Sequence, residues 1–405
     1  MRILFLCHRF PFPPNRGGKI RPFQMIRHLS QQHSVVVASL AHTEQELRDG
    51  ARLKDHCAEV IAEVLPSSVR WRQAVGALAT RTPASVAYFS SAPLRARIRE
   101  AWQKEKFDLV WVHCAFAAQY AAILPSGGVR VLDFGDIDSA KWLDYARHRS
   151  FPLSLGYALE ARKLRRYEKQ MALQFDRCTA TTPGESEEYN SFHVPVPCTV
   201  IPNGVDARFF QPRAERPADS AVIVFLGRMD YFPNVDAIRD FVASVFPLVR
   251  RRVPQAQLRI IGSNPTRAVR ALARDPGVAV TGYVPDVRPY LADAAVAIAP
   301  LRIARGTQNK ILECMASGLP VVCTPQAARG IQAVPGRDFL VADGPEEFGR
   351  EVVRVLQNAR LGAELASSGR RQVEEAHCWS NSMELLDQLL GECCVVVGER
   401  VASRE

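Results

Sequence analysis

Residues 296–322, VAIAPLRIARGTQNKILECMASGLPVV, decide the fold. A buried strand, Val296–Leu301, runs into a loop, and the loop opens a helix carrying Lys310 and Glu313. Gly318 and Pro320 end that helix, and a second apolar strand follows. The stretch reads as a βαβ unit, the building block of parallel sheets. At the carboxyl end of a parallel strand, a helix N-terminus offers unpaired N–H groups and partial positive charge to a phosphate. Gly306 lets the backbone come close to such a ligand. Glu313 lies two turns in, where a carboxylate can accept hydrogen bonds from ribose hydroxyls. Taken alone, the stretch is equally one more unit of an α/β core.

The same alternation runs outward in both directions. Short β-branched runs predict strands at Ile3–Cys7, Ser34–Leu40, Val60–Leu65, Leu109–His113, Val131–Phe134, Arg177–Thr181 and Thr199–Pro202. In the second half they fall at Val222–Leu226, Leu258–Gly262, Val278–Thr281, Val296–Ala299, Val321–Thr324 and Phe339–Ala342. Helices are predicted between them, notably Gly18–Gln31, Gln45–His56 and Leu155–Gln174, with a last helix at about Ser380–Gly391. At 405 residues the chain is too long for one core. The polar, aperiodic stretch Gln211–Ser220 marks the boundary, and no internal repeat appears beyond two similar α/β domains. The expected division is residues 1–202, residues 203–377, and residues 378–405 as a crossover helix and a weakly specified tail.

Composition narrows the partners. Net charge is +10 and the isoelectric point about 9.2, which suits anionic partners such as nucleotide phosphates, nucleic acid or an acidic membrane surface. Nucleic acid is set aside because no recognition module accompanies the charge. The ten cysteines show no CxxC pair and no metal-type spacing, so reduced thiols in a cytoplasmic protein are expected. Met1–Cys7 contains Arg2 and runs into a Pro-rich loop, which reads as a first strand rather than a signal peptide. No apolar run approaches the roughly 20 residues of a spanning helix.

Glycine loops follow the predicted strands in an ordered series. Asn15-Arg16-Gly17-Gly18-Lys19 opens the first helix, and Ile201-Pro202-Asn203-Gly204 ends the first half. Gly227-Arg228, Gly262-Ser263-Asn264, Gly282-Tyr283-Val284 and Gly306 then mark the second half. The spacing is not GxGxxG, so a dinucleotide fingerprint is unsupported. The series resembles the glycosyltransferases of the GT-B fold, family 4, and within them a subgroup encoded with exopolysaccharide assembly systems. That resemblance implies an α/β architecture of two Rossmann-like domains facing each other, with the last helix crossing back to the first. It implies a retaining transferase that moves a sugar from a nucleotide diphosphate-sugar donor to a glycan or lipid-linked acceptor. No cofactor and no metal are expected.

Residue by residue, Gly17 and Gly18 match the glycine turn facing the donor diphosphate and the acceptor. Gly227 and Arg228 match the position where an arginine grips the diphosphate. Glu313 matches the second Glu of the E-x7-E pattern, which holds the ribose. Backbone around Gly306, Thr307, Gln308 and Asn309 would cradle the diphosphate, and Tyr283 and Val284 fall where the nucleobase packs. His113 resembles the histidine near the reacting sugar. Arg228 and Lys310 would replace a divalent ion, because negative charge grows on the leaving diphosphate and fixed donors aimed at it lower the barrier.

Two departures stand out. Arg305 replaces the first Glu of E-x7-E; it cannot accept hydrogen bonds from sugar hydroxyls but adds charge to the diphosphate clamp. Asn234 stands where many members carry a second phosphate-binding Lys, a charge Lys310 can supply. Asp136-Ile137-Asp138 mimics the metal-binding DxD of single-domain transferases; Asp136 and Asp138 are read instead as acceptor-side residues. Asp133-Phe134-Gly135 spells a kinase triplet with no HRD loop before it, and is read as chance. Arg162, Lys163, Arg165, Arg166 and Lys169 load one helix, and Trp71 with Arg70 and Arg72, and Arg95, Arg97 and Arg99, add charge. Two readings of that charge stand open, a solvated face and peripheral contact with anionic lipid. Two rival functions also remain: a nucleotide-sugar epimerase on the same fold, and a degenerate, membrane-associated adaptor.

Overall fold

The structure, a computed structural model, describes residues 1–15, 17–213 and 220–402, with side chains in the last helix as far as Cys393. Arg16 and most of the Gln211–Ser220 linker lie outside the described residues, as do the side chains of the tail from Val395. The chain divides into two compact units, Met1–Pro202 with Met383–Glu405, and Asn203–Ser382.

Among the described residues, the first unit holds seven parallel strands: β1 Arg2–Cys7, β2 Ser34–Ala41, β3 Glu59–Val64, β4 Leu109–His113, β5 Val129–Gly135, β6 Arg177–Ala180 and β7 Cys198–Val200. Their order is β3-β2-β1-β4-β5-β6-β7. The second unit holds six: β8 Val222–Leu226, β9 Gln257–Ile261, β10 Val278–Gly282, β11 Val296–Ala299, β12 Val321–Cys323 and β13 Leu340–Val341. Their order is β10-β9-β8-β11-β12-β13. Strands such as β1, β4 and β11 are apolar on both faces and buried, as a sheet covered by helices on each side requires.

In both sheets the winding reverses beside the first strand, at β1/β4 and at β8/β11. Open α/β sheets bind ligands outside the carboxyl ends of the strands at that reversal. The loops leaving those strands carry His8, Cys114, Gly227-Arg228 and residues 302–308. The fold therefore aims Gly227, Arg228 and the 305–308 loop, singled out by sequence, at the expected edge of the second sheet, and brings His8 and Cys114, which were not, to that edge of the first.

Three segments differ from expectation. The helix predicted at Gln45–His56 is broken into Glu44–Asp49 and a 3-10 turn, Ala51–His56. Gly50 sits at the break because a Cβ there would lie 2.3 Å from the Phe10 ring. The last helix runs Trp379–Ala402, and within the first unit His28 Nε2 meets Asp387 Oδ1 at 2.8 Å. Arg70, read as a surface cation, is fully buried. Its Nε donates to the Leu65 carbonyl at 2.6 Å and its Nη2 to the Ala41 carbonyl at 2.8 Å.

Candidate functional site

Loops at the carboxyl edge of the second sheet interlock through glycine. Gly227 and Gly262 have φ of +155° and +153°, and an added Cβ on Gly262 would lie 1.6 Å from the Gly227 carbonyl oxygen. Gly227 N–H donates to Ile261 O at 3.1 Å, and Gly262 N–H to Gly282 O at 3.2 Å. The ends of β8, β9 and β10 are thereby stitched together, and Tyr283 and Val284 follow directly. Tyr283 is exposed, while Val284 packs on the core beneath it. Gly306, with φ of +60°, lies so close to Gly330 that a Cβ on Gly330 would fall 2.2 Å from its carbonyl oxygen.

Lys310 lies in the first turn of the helix Asn309–Ala316, which faces this edge. Its Nζ donates to Asn234 Oδ1 at 2.5 Å, and Asn234 Nδ2 donates to the Arg228 carbonyl at 2.9 Å. The ammonium sits 4.9 Å from the centroid of the Phe225 ring, and a Cβ added to Gly227 would stand 3.3 Å from it. Gly227, Arg228, Asn234 and Lys310 are therefore one cluster. Burial pulls the Lys310 ammonium down to about 8, with the Glu313 charge opposing that shift. Burial pushes the Glu313 carboxyl up to about 7, with Lys310 opposing. Two ionisable groups displaced toward neutrality on one short helix make this cluster a candidate functional site.

Arg228 differs from the sequence picture of a free cation. Its Nη2 and Nε hold the Asp230 carboxylate at 2.5 and 3.0 Å, and Asn264 Nδ2 donates to the same carboxylate at 3.4 Å. The Arg228 guanidinium is therefore already engaged by the Asp230 carboxylate. Arg305 lies in the loop, where Gln308 Nε2 donates to its carbonyl at 2.9 Å. The neighbouring Thr307 Oγ1 is buried with no hydrogen-bond partner among the described residues. A buried hydroxyl left unsatisfied costs free energy unless a ligand completes it.

The first unit builds a second constellation. His113 ends β4, and its parallel neighbour in register on β5 is Asp133. His113 Nδ1 lies 2.7 Å from Asp133 Oδ2, a contact that fixes the orientation of the ring and leaves Nε2 free of the carboxylate. Asp133 is fully buried and also accepts from Arg21 Nη2 at 2.8 Å and Thr179 Oγ1 at 2.8 Å. Burial alone would raise its pKa, but Arg21 and the His113 hydrogen bond outweigh that and hold the carboxyl well below the usual range. Arg21 Nη1 donates to Ile201 O at 2.7 Å, so the arginine is locked as well. Cys114, directly after the histidine, holds φ of +74°, a conformation that a non-glycine residue keeps only when its surroundings enforce it.

Asp133 was not among the residues singled out by sequence, although it supplies the carboxylate that orients His113; the contact has no bearing on the kinase-like spelling of its triplet. His8 was also missed. It ends 6.1 Å from His113, ring to ring, and burial keeps its imidazole neutral. No local window shows these pairings: His113 meets Asp133 through strand register, and Arg21 reaches Asp133 from a helix 112 positions away. Asp136 accepts from Thr181 Oγ1 at 3.3 Å, and Asp138 pairs with Lys141 at 3.3 Å. Among the described residues, no group of three or more His, Cys, Asp or Glu is placed to hold a metal ion. Gly17 and Gly18 open the first helix, Gly17–Leu29, and a Cβ on Gly18 would meet nothing within 4 Å. Packing does not require glycine at position 18.

A model of the glycosyl transferases group 1 matches residues 220–358, and a model of glycosyltransferase family 4 matches residues 16–209. The chain is a group 1 glycosyltransferase. Solved structures agree on the fold of this glycosyltransferase. Sucrose-phosphate synthase from Thermosynechococcus elongatus superposes with a TM-score of 0.71 at 16% identity, covering 98% of this chain and 100% of that one. Anabaena HepE, in complex with UDP and glucose, gives 0.69 at 15% identity over 97% and 100%. WaaG, a glycosyltransferase involved in lipopolysaccharide biosynthesis, gives 0.63 at 15% identity over 95% and 98%. Among curated proteins, none matches the sequence. The two sheets of this glycosyltransferase are the two Rossmann-like domains of the GT-B fold.

Proposed function

We propose that this glycosyltransferase moves a sugar from a nucleoside diphosphate-sugar to a glycan or lipid-linked acceptor, with retention at the anomeric carbon, in exopolysaccharide synthesis. The observation that carries the donor assignment is the half-buried ammonium of Lys310. It is held by Asn234 beside Gly227, with Glu313 one turn further along the same helix. Lys310 and Arg228 are assigned to the diphosphate, with the backbone at 306–309 and the Thr307 hydroxyl completing its contacts. Arg305 is assigned to the same clamp, Glu313 to the ribose and Tyr283 with Val284 to the base. HepE has been crystallised with UDP-glucose, which supports a uridine donor as the first to test.

The acceptor oxygen bonds to the anomeric carbon as the bond from that carbon to the β-phosphate oxygen breaks. The bonding electrons leave with the nucleoside diphosphate, and a departing phosphate oxygen takes the acceptor proton. Fixed cations stabilise the charge that grows there, so no divalent ion is required. His113 Nε2, on a ring oriented by Asp133, is assigned to a hydroxyl of the reacting sugar, and Asp136 and Asp138 to acceptor contacts.

Glu313→Ala is expected to weaken binding of a nucleoside diphosphate by roughly tenfold or more, since a hydrogen bond to a charged group contributes about 1.5–3 kcal/mol. Calorimetry that finds affinity unchanged removes the ribose assignment. Donor affinity also depends on pH. Glu313, near 7, must be ionised to accept from the ribose, and Lys310, near 8, must be protonated to meet the phosphates. Binding of a nucleotide-sugar, whose diester phosphates do not titrate here, is therefore strongest between pH 7 and 8. On each side it falls by up to about tenfold per pH unit. A flat profile from pH 6 to pH 9 contradicts both assignments.

A further inference from the structure

One helix of the first unit is turned inside out. In the helix Ser67–Ala77 the buried face carries Arg70, Ala74 and Ala77, while Trp71 and Val75 are each 62% exposed and Leu78, at its end, is 66% exposed. A helix that docks an amphipathic face on its own domain does the reverse. The longer helix Leu153–Ala172 repeats the anomaly: Leu155 and Leu159 are about half exposed, and Arg162 and Arg166 continue the same stripe. The two stripes adjoin. Lys163, one turn beyond Leu159, donates from Nζ to the carbonyls of Ala77 and Leu78 at 3.1 and 3.0 Å.

The charge around this apolar face has one sign. No Asp or Glu occurs between Glu63 and Glu100, while Arg72, Arg81, Arg95, Arg97 and Arg99 do, besides the buried Arg70; of these, Arg97 pairs with Glu63. From Tyr145 to Tyr167 the single acid is Glu160. It is buried and occupied by the backbone N–H groups of Ala84 and Ser85 at 2.9 and 2.8 Å. Arg72, Arg81, Arg162 and Arg166 are exposed and make no ion pair among the described residues. An acidic protein partner would suit the arginines, but a face mixing Trp, Val and Leu with unpaired arginines on adjoining helices matches the layered chemistry of a lipid interface.

We propose that this face of the first unit docks on an anionic phospholipid bilayer, with the apolar stripes at headgroup depth and the flanking arginines on lipid phosphates. The contact is peripheral, since no described helix is long and apolar enough to cross a membrane. It stands on the surface alone and does not depend on the donor assignment.

The test is co-sedimentation of the full chain with vesicles of phosphatidylcholine, with and without phosphatidylglycerol, at low and high salt. Binding is expected only to the anionic vesicles and is weakened by salt. Trp71→Ser with Leu159→Ser is expected to weaken it by at least about tenfold, from lost apolar burial. Arg162→Ser with Arg166→Ser is expected to weaken it about 25-fold, roughly fivefold per cation near the surface. Thermal melting and nucleotide binding should be unchanged in both variants, because the side chains are exposed and none is among the residues assigned to the donor. Failure of the wild type to bind anionic vesicles at low salt, or equal binding by all variants, overturns the proposal. So does a concentration-dependent dimer abolished by Trp71→Ser, which would assign the face to a second copy of the chain.

Discussion

Replacing Lys310 with Met is expected to lower kcat/KM for the nucleotide-sugar by roughly 10²–10³, with little or no loss of stability. The two halves of that expectation have separate physical origins. The ammonium stands in the second unit's loop cluster, held by Asn234 beside Gly227, and charge on the leaving diphosphate is expected to grow in the transition state. Removing one preorganised donor to such charge costs about 2.7–4 kcal/mol of barrier. The folded chain, by contrast, gains little from the ammonium. Burial lowers its pKa to about 8, which means the surroundings disfavour the charged form. Methionine keeps the apolar stem over the Phe225 ring and discards the charge. Turnover kinetics and a thermal melt together check this. A variant that keeps kcat/KM within about threefold of the parent contradicts the assignment of Lys310 to the leaving group.

Asp133→Ala is expected to destabilise the first unit by about 3–5 kcal/mol, because it strands the buried guanidinium of Arg21 without its counter-charge. The same substitution frees the His113 ring, so activity should fall even where the protein remains folded. The pH direction follows from the depressed carboxyl. A group whose folded pKa lies below its unfolded value contributes stability above the unfolded pKa, near 3.9, and loses it as pH falls further. Asp133→Asn separates the two roles, since it keeps the shape while removing the charge. Denaturant titration of both variants is the check. A loss under about 1 kcal/mol for Asp133→Ala would show that the Arg21–Asp133–His113 set does not hold the unit together.

The fold was legible because buried parallel strands are continuous apolar runs bounded by breakers. Leu109–His113, Val222–Leu226 and Val296–Ala299 have the bounds their sequence predicts. Gln45–His56 was misjudged at Gly50, where contact with the distant Phe10 ring, invisible in a local window, sets the break. Of the candidate site, Gly227, Arg228, Lys310 and Glu313 could be found because they stand in fixed positions of a chain-order motif. The Asp230 carboxylate on Arg228 and the Asp133 support of His113 could not be found that way. Each depends on which loop or strand lies alongside. Arg70 shows the converse: beside Trp71 and Arg72 it reads as surface charge, yet three-dimensional packing turns it inward onto carbonyl groups and the Tyr88 ring.

Calorimetric titration of the full chain with UDP in the presence of excess EDTA tests the central claim most directly. The claim is that protein cations and amide hydrogens, not a metal ion, neutralise the donor diphosphate. Saturable binding in EDTA, weakened roughly 10-fold to 100-fold in Lys310→Met, is the predicted result. Binding that appears only when magnesium or manganese is restored, or an affinity unchanged by Lys310→Met, would contradict it.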